Sequence, residues 1–232
     1  MNTFIFDFDG TLTEKDGNIW RKIWSKLGYE TNENSLYSKL YKGFSSGLLS
    51  HKDWCIQTCR AFQKKGMKME ILDNISESVK LKKGVPQFLK FLKKRGYSLH
   101  IVSGNIKKVI TNVLGENVKY FDNIVANEFI FDDGLLDSIK GTRYDFEGKA
   151  DYVREYAERT NTPISEICFI GNGWNDEWVH QTGCKTICIT STSRIDYNNK
   201  EKWHTCVKDI AKLEEYFKRN NQYFCSERKL GR

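Results

Sequence analysis

The 232 residues, 39% hydrophobic and 13% aromatic with only two prolines, suffice for one large domain or for a core with a smaller insertion, and they exclude a disordered chain. The formal charge of +7 falls mostly in short clusters such as Lys93-Lys94-Arg95 before Gly96, the charge that a helix C-terminus attracts; with no RNA- or DNA-binding signature, a nucleic-acid partner is not expected. No basic stretch leads into a long apolar run at the amino terminus, and no window approaches the roughly eighteen apolar residues of a membrane span, so a soluble, cytoplasmic protein without a membrane partner is expected.

The first predicted element is a buried strand, Thr3-Phe4-Ile5-Phe6, which delivers Asp7 and Asp9 into the turn Gly10-Thr11. In an extended chain residues i and i+2 point the same way, so the two carboxylates can address one ligand at the strand's carboxyl end, where open α/β sheets bind ligands. Two like charges that close repel, and a divalent cation relieves the repulsion. From about Asp16 to about Lys80 strand character is lost. Ile19, Trp20, Ile23, Trp24 and Leu27 recur at helical spacing before Gly28, and further helices are predicted at 36–44, at 52–65 behind a Ser50/Asp53 cap, and at 67–79.

From Gly84 helices and strands alternate. Pro86 opens a predicted helix over 86–95 that Gly96 closes, and a strand over 97–102 ends in Ser103-Gly104-Asn105. A helix over 106–114, a strand near 123–126 and a hairpin over 129–139 around Asp132-Asp133-Gly134 follow. Gly148-Lys149 opens a helix to about Arg159, and a strand over 166–170 ends in Gly171-Asn172-Gly173. A helix over 174–181, a strand over 185–190 and an amphipathic helix over 207–219 complete the set, and the polar tail from Asn220 is expected to fray. Such alternation implies an α/β, doubly wound (Rossmann-like) parallel sheet with a helical segment inserted after the first strand. The boundaries are 1–15 and 81–232 for the core and 16–80 for the insertion. The seven cysteines, Cys55, Cys59, Cys168, Cys184, Cys188, Cys206 and Cys225, show no paired CxxC spacing and read as reduced thiols.

Four segments thus fall at the carboxyl edge of one sheet: Asp7 to Thr11, Ser103, Lys149, and Asn172 to Asp176. In order and spacing they resemble the four motifs of the haloacid dehalogenase (HAD) superfamily, namely DxDGT, a Ser or Thr after the second strand, a Lys, and a GDGxND-like loop. The helical insertion resembles the small cap of the phosphoserine phosphatase branch. The resemblance implies a Mg2+-dependent phosphatase acting on a small phosphomonoester. Asp7 would be a carboxylate nucleophile forming an aspartyl-phosphate, and Asp9 the acid and base for leaving group and water. The phosphoryl oxygens would be held by Ser103, Lys149 and the backbone near Thr11 and Gly104. Magnesium would be bound by Asp7, the Asp9 carbonyl, Asn172 and Asp176.

Two features leave alternatives open. Asn172 stands where the family usually has Asp, and an amide oxygen can ligate a metal but brings no charge. That keeps an inactive phospholigand-binding homologue beside the leading reading, and a phosphotransferase or a nucleotide phosphatase of the same superfamily stand beside it as further alternatives. Asp16, nine residues after Asp7, occupies the place where phosphoserine phosphatase-like proteins carry a Glu that holds the substrate's amino group, with Glu14 and Lys15 as neighbours. The sequence sets neither the substrate nor the oligomeric state.

Overall fold

The computed structural model describes residues 2–14, 18–191 and 201–219. β1 is Thr3–Phe6, with every residue buried. The other strands are β2 (Ser98–Ile106), β3 (Asn123–Asp132), β4 (Leu135–Lys140), β5 (Ile167–Gly171), β6 (Lys185–Ile189) and β7 (Thr205–Val207). They form one sheet of order β4-β3-β2-β1-β5-β6-β7 with β1 at its centre. Every neighbouring pair is parallel except the hairpin β3–β4.

Alternation along β1 sorts the two faces. Phe4 and Phe6 pack with α5 (Val85–Lys94), α6 (Lys107–Leu114) and α8 (Leu213–Arg219), through Phe88, Leu92, Ile110, Leu213 and Phe217. Ile5 points the other way, onto Tyr152 and Val153 of α7 (Glu147–Thr160), Phe169 of β5, and Val179. Helices therefore cover both faces, as a parallel sheet requires.

Four further helices, α1 (Ile19–Lys26), α2 (Leu36–Ser45), α3 (His51–Lys64) and α4 (Met69–Glu77), lie between β1 and α5 in the chain. Asn18, Ser35 and Ser50 cap the first three, each side-chain oxygen accepting a backbone N–H. The four share a core of their own around Trp24, Leu40, Phe62 and Leu72, which continues into Ile106, Val109 and Leu136. The chain leaves and re-enters the sheet side by side: Glu14 N–H bonds Lys80 C=O at 2.9 Å and Lys82 N–H bonds Leu12 C=O at 2.9 Å.

Four boundaries differ from the sequence reading. The strand at 123–126 and the hairpin at 129–139 are one continuous ten-residue β3 with β4 returning along it. β2 runs through Ser103-Gly104-Asn105 to Ile106, with a register shift against β3 between Val102 and Ile106. Residues 174–182 form a 3₁₀ rather than an α-helix. The expected helix over 207–219 begins only at Leu213; Val207 instead pairs with Ile189 as the sheet's edge, and Asp209 caps a 3₁₀ turn at Ile210–Lys212. Five of the cysteines are buried thiols and Cys206 is exposed; Cys225 and the rest of the tail from residue 220 lie outside the described residues.

Phe62, fully buried, touches the rings of Trp24 and Phe129 and so ties the inserted helices to the β3–β4 hairpin. Phe62→Ala is expected to cost about 3–5 kcal/mol by urea unfolding; a loss below about 1 kcal/mol would mean that the inserted core does not contribute to global stability.

Candidate active site

β1 aims the first carboxylate. Asp7 N–H still bonds the Ile170 carbonyl of β5 at 2.9 Å, so Asp7 extends the sheet by one residue before the chain turns. The turn is wound on the buried Phe8, whose carbonyl accepts the N–H groups of Thr11, Leu12 and Thr13 at 3.2, 3.0 and 3.3 Å. Gly10 sits at φ +73°, a conformation that side-chain-bearing residues adopt at a cost. Behind it, the buried Lys82 ammonium donates to the Gly10 carbonyl at 2.6 Å.

The centre of the site is an ammonium shared by two carboxylates. Lys149, wholly buried in the first turn of α7, lies 2.7 Å from Asp7 Oδ1 and 2.6 Å from Asp176 Oδ1. The second oxygen of Asp176 accepts the N–H groups of Asn172 and Gly173 at 3.0 and 2.8 Å. A side chain at Gly171 would meet that oxygen at 2.6 Å, so the glycine lets the loop close on the carboxylate. Thr11 Oγ1 donates towards Asp7 Oδ2 (3.3 Å) and Asn172 Oδ1 (3.1 Å). Asp9 is held from β2, whose Asn105 Nδ2 donates to Asp9 Oδ1 at 2.9 Å.

Asp7, Asp9, Ser103, Gly104 and Asn172 line one cleft of about 180 Å³ between the sheet edge and the inserted helices. Thr11, Lys149 and Asp176 stand behind it. The Thr11 N–H is taken by Phe8, and Asp176 is wholly buried with one oxygen bonded to Lys149 and the other to the loop. Ser103 is buried at the cleft wall, where its Oγ accepts the Asn105 N–H at 3.2 Å. Asp16 lies outside the described residues.

Sequence reasoning passed over three residues here. Asn105 reads as part of a turn, yet it holds Asp9. Asn127 of β3 donates to the carbonyls of Gly104 (2.7 Å) and Asn105 (3.2 Å) and accepts the Thr142 N–H at 2.9 Å, which fixes the bulged end of β2. Asp145 carries a carboxylate so close to Gly104 that any Cβ there would collide with it. None has a local spacing signal, because each acts across strands. Phe146, next to Asp145, is held at φ +50°, a strain of about 1–3 kcal/mol for such a residue.

Burial raises Asp7 to about 8, against the pull of Lys149, and raises Asp9 to about 7. Lys149 stays above its ordinary value: burial disfavours the ammonium, but Asp176, Asp7 and Asp145 outweigh that cost. One cation thus faces an excess of carboxylates, the charge balance that a divalent cation corrects. Among the described residues no three acidic, imidazole or thiol side chains converge as a metal cluster. The available set is mixed and all oxygen, made of the Asp7 carboxylate, the Asn172 amide oxygen and the backbone beside Asp9, and hard oxygen donors fit magnesium, which keeps several waters.

The sequence model of the haloacid dehalogenase-like hydrolases matches residues 4–176, a span that runs from β1 to Asp176. The chain belongs to this family. A phosphoserine phosphatase of Archaeoglobus fulgidus is 30% identical over 173 residues, 74% of this chain and 47% of that protein. One of Methanocaldococcus jannaschii is 22% identical over 92% of this chain and 96% of its own length. The chain therefore spans about half the length of the first relative and nearly all of the second. A solved structure of a phospho-aspartyl intermediate analogue of phosphoserine phosphatase superposes with a TM-score of 0.68 at 22% identity, covering 93% of this chain and 98% of that one, and so shares the hydrolase's fold. No helix among the described residues is long and apolar enough to cross a membrane.

A carboxylate whose pKa is higher folded than unfolded stabilises the fold below its unfolded value, and that stability is lost as pH rises through the folded value. For Asp7 and Asp9 the window runs from the ordinary 3.8 up to about 8 and about 7. In EDTA, the double variant Asp7→Asn/Asp9→Asn is therefore expected to gain stability relative to the wild type as pH rises across that window, read by thermal unfolding. A constant difference would show that the two carboxylates are not desolvated.

Proposed function

We propose that the protein is a Mg2+-dependent phosphatase that hydrolyses a small phosphomonoester through an aspartyl-phosphate at Asp7, with 16–80 as a cap over the core of 1–15 and 81–232. The observation that carries this reading is the placement of Asp7 at the end of the central strand, bonded at 2.7 Å to a buried Lys149 and flanked in one cleft by Asp9 and Ser103. The phosphoserine phosphatase names of the relatives support the reaction class.

In the first step an Asp7 oxygen attacks phosphorus, and the bond from phosphorus to the substrate's alcohol oxygen breaks. Asp9, entering protonated, gives that proton to the departing oxygen. In the second step Asp9 takes a proton from water, whose oxygen bonds to phosphorus while the Asp7–phosphorus bond breaks, releasing inorganic phosphate. Asn105 keeps Asp9 aimed through both transfers. Lys149 fixes the Asp7 carboxylate and, with Ser103 and the N–H of Gly104, would hold phosphoryl oxygens. Asp7, the Asp9 carbonyl and Asn172 would hold magnesium, with Asp176 at the same loop; when bound, the ion would supply neutralising charge between Asp7 and the phosphoryl group.

The test is phosphate release across phosphorylated amino acids, sugars, nucleotides and amino alcohols. Turnover with water alone is expected; a requirement for an acceptor would favour the phosphotransferase, and no turnover would favour the binding homologue. Asp7→Asn is expected to lower kcat at least about a thousandfold with the fold retained, and retained activity would end the covalent mechanism. Asn172→Asp is expected to lower the Mg2+ concentration for half-maximal activity several-fold, because a charge is added opposite a dication; an unchanged requirement would place Asn172 away from the ion.

A further inference from the structure

Five aromatic rings in the lining of the cleft meet in series. Trp20 of α1 meets Trp54 of α3 at 4.4 Å between ring centroids, Trp54 meets Phe44 of α2 at 5.3 Å, Phe44 meets Phe146 at 5.2 Å, and Phe146 meets Trp174 at 4.9 Å. All five line the same cleft as Asp7 and Asp9. The first three come from the inserted helices and the last two from the sheet side, so the wall spans the junction between them.

Two carboxylates with no part in holding the phosphate share this space, Asp145 and Glu14. Asp145 Oδ1 accepts the Phe146 N–H at 2.9 Å and Asn175 Nδ2 at 3.2 Å. Its other oxygen, the one against Gly104, takes part in no hydrogen bond or ion pair among the described residues. No Lys or Arg is among the described residues that line the cleft. His51, also in the lining, does not supply a cation: burial lowers its pKa, with Asp145 opposing.

From these we infer that the leaving-group half of the cleft selects a phosphomonoester whose alcohol carries a positively charged nitrogen and no carboxylate, held between the aromatic wall and Asp145. The inference rests on the phosphatase reading and deepens it by naming the substrate class. Aromatic faces attract organic cations through the ring quadrupole, and a nearby carboxylate adds charge attraction, with an oxygen free to accept an N–H where the nitrogen carries one. A phosphorylated amino acid would instead set its own carboxylate against Asp145 and Glu14. A nucleobase could stack on the rings but would gain nothing from the carboxylates.

The test is phosphate release by the full chain with Mg2+ from four substrates: phosphocholine, its neutral isostere with carbon in place of the quaternary nitrogen, phosphoserine and a nucleoside monophosphate. p-Nitrophenyl phosphate reports the chemistry alone. Phosphocholine is expected to exceed its isostere by about tenfold or more in kcat/KM and to exceed phosphoserine and the nucleotide. Asp145→Asn is expected to bring the ratio of phosphocholine to isostere towards one. Equal or better turnover of the isostere, or preference for phosphoserine or the nucleotide, overturns the proposal. If p-nitrophenyl phosphate too is untouched, it is the phosphatase reading that fails. The cation site is then decided by titrating the tryptophan fluorescence of the wild type and of Trp174→Leu. Choline is expected to give a saturable change in the wild type that its neutral isostere does not give and that Trp174→Leu weakens; no such change overturns the site.

Discussion

The site depends on one buried ammonium. Lys149 is inaccessible to water, and an isolated charge there would be untenable, so its bonds of 2.7 and 2.6 Å to Asp7 and Asp176 are a condition of its burial. Each of the three comes from a different part of the sheet edge: Asp7 from the end of β1, Lys149 from the start of α7, Asp176 from the 3₁₀ segment after β5. Because the ammonium holds both carboxylates, the loop after β5 is tied to the loop after β1, and Thr11 repeats the tie through Asn172. The excess of carboxylate that remains is what makes an added dication favourable, and it links the architecture to the chemistry.

The inserted helices have a different basis. Their core is largely aromatic and continues into Ile106, Val109 and Leu136, and an antiparallel pair of backbone bonds between residues 12–14 and 80–82 makes a further attachment at the mouth of the site. Trp20 crosses that attachment, donating its indole N–H to the Gly104 carbonyl at 2.9 Å, the same carbonyl that Asn127 holds from the other side. The end of β2 is thus clamped between insertion and sheet. Chemistry at the sheet edge and recognition by the aromatic wall meet at Gly104, where only a glycine leaves room for Asp145.

Much of this was legible in the sequence. Asp7 and Asp9 declare themselves because period-two geometry and the Gly10 turn are local properties, and the helical segment declares itself because Trp20, Ile23, Trp24 and Leu27 keep a 3.6-residue period. The parallel order of the sheet follows from alternating helices and strands. What was not legible is non-local. Asn105 becomes the partner of Asp9 only because β2 bulges against β3, and Asp145 enters the cleft only through the strained turn at Phe146. The edge strand at Val207 was hidden by an amphipathic pattern that a helix and a pairing strand can share over so few residues.

The central claim is that Asp7 accepts the phosphoryl group, and borohydride trapping tests it most directly. The chain is mixed with Mg2+ and a turned-over phosphomonoester, quenched with borohydride, digested and sequenced by mass spectrometry. An acyl-phosphate at Asp7 is expected to be reduced to homoserine at that position, and only when substrate is present. Turnover that leaves Asp7 unmodified, or reduction at Asp9 instead, would contradict the account.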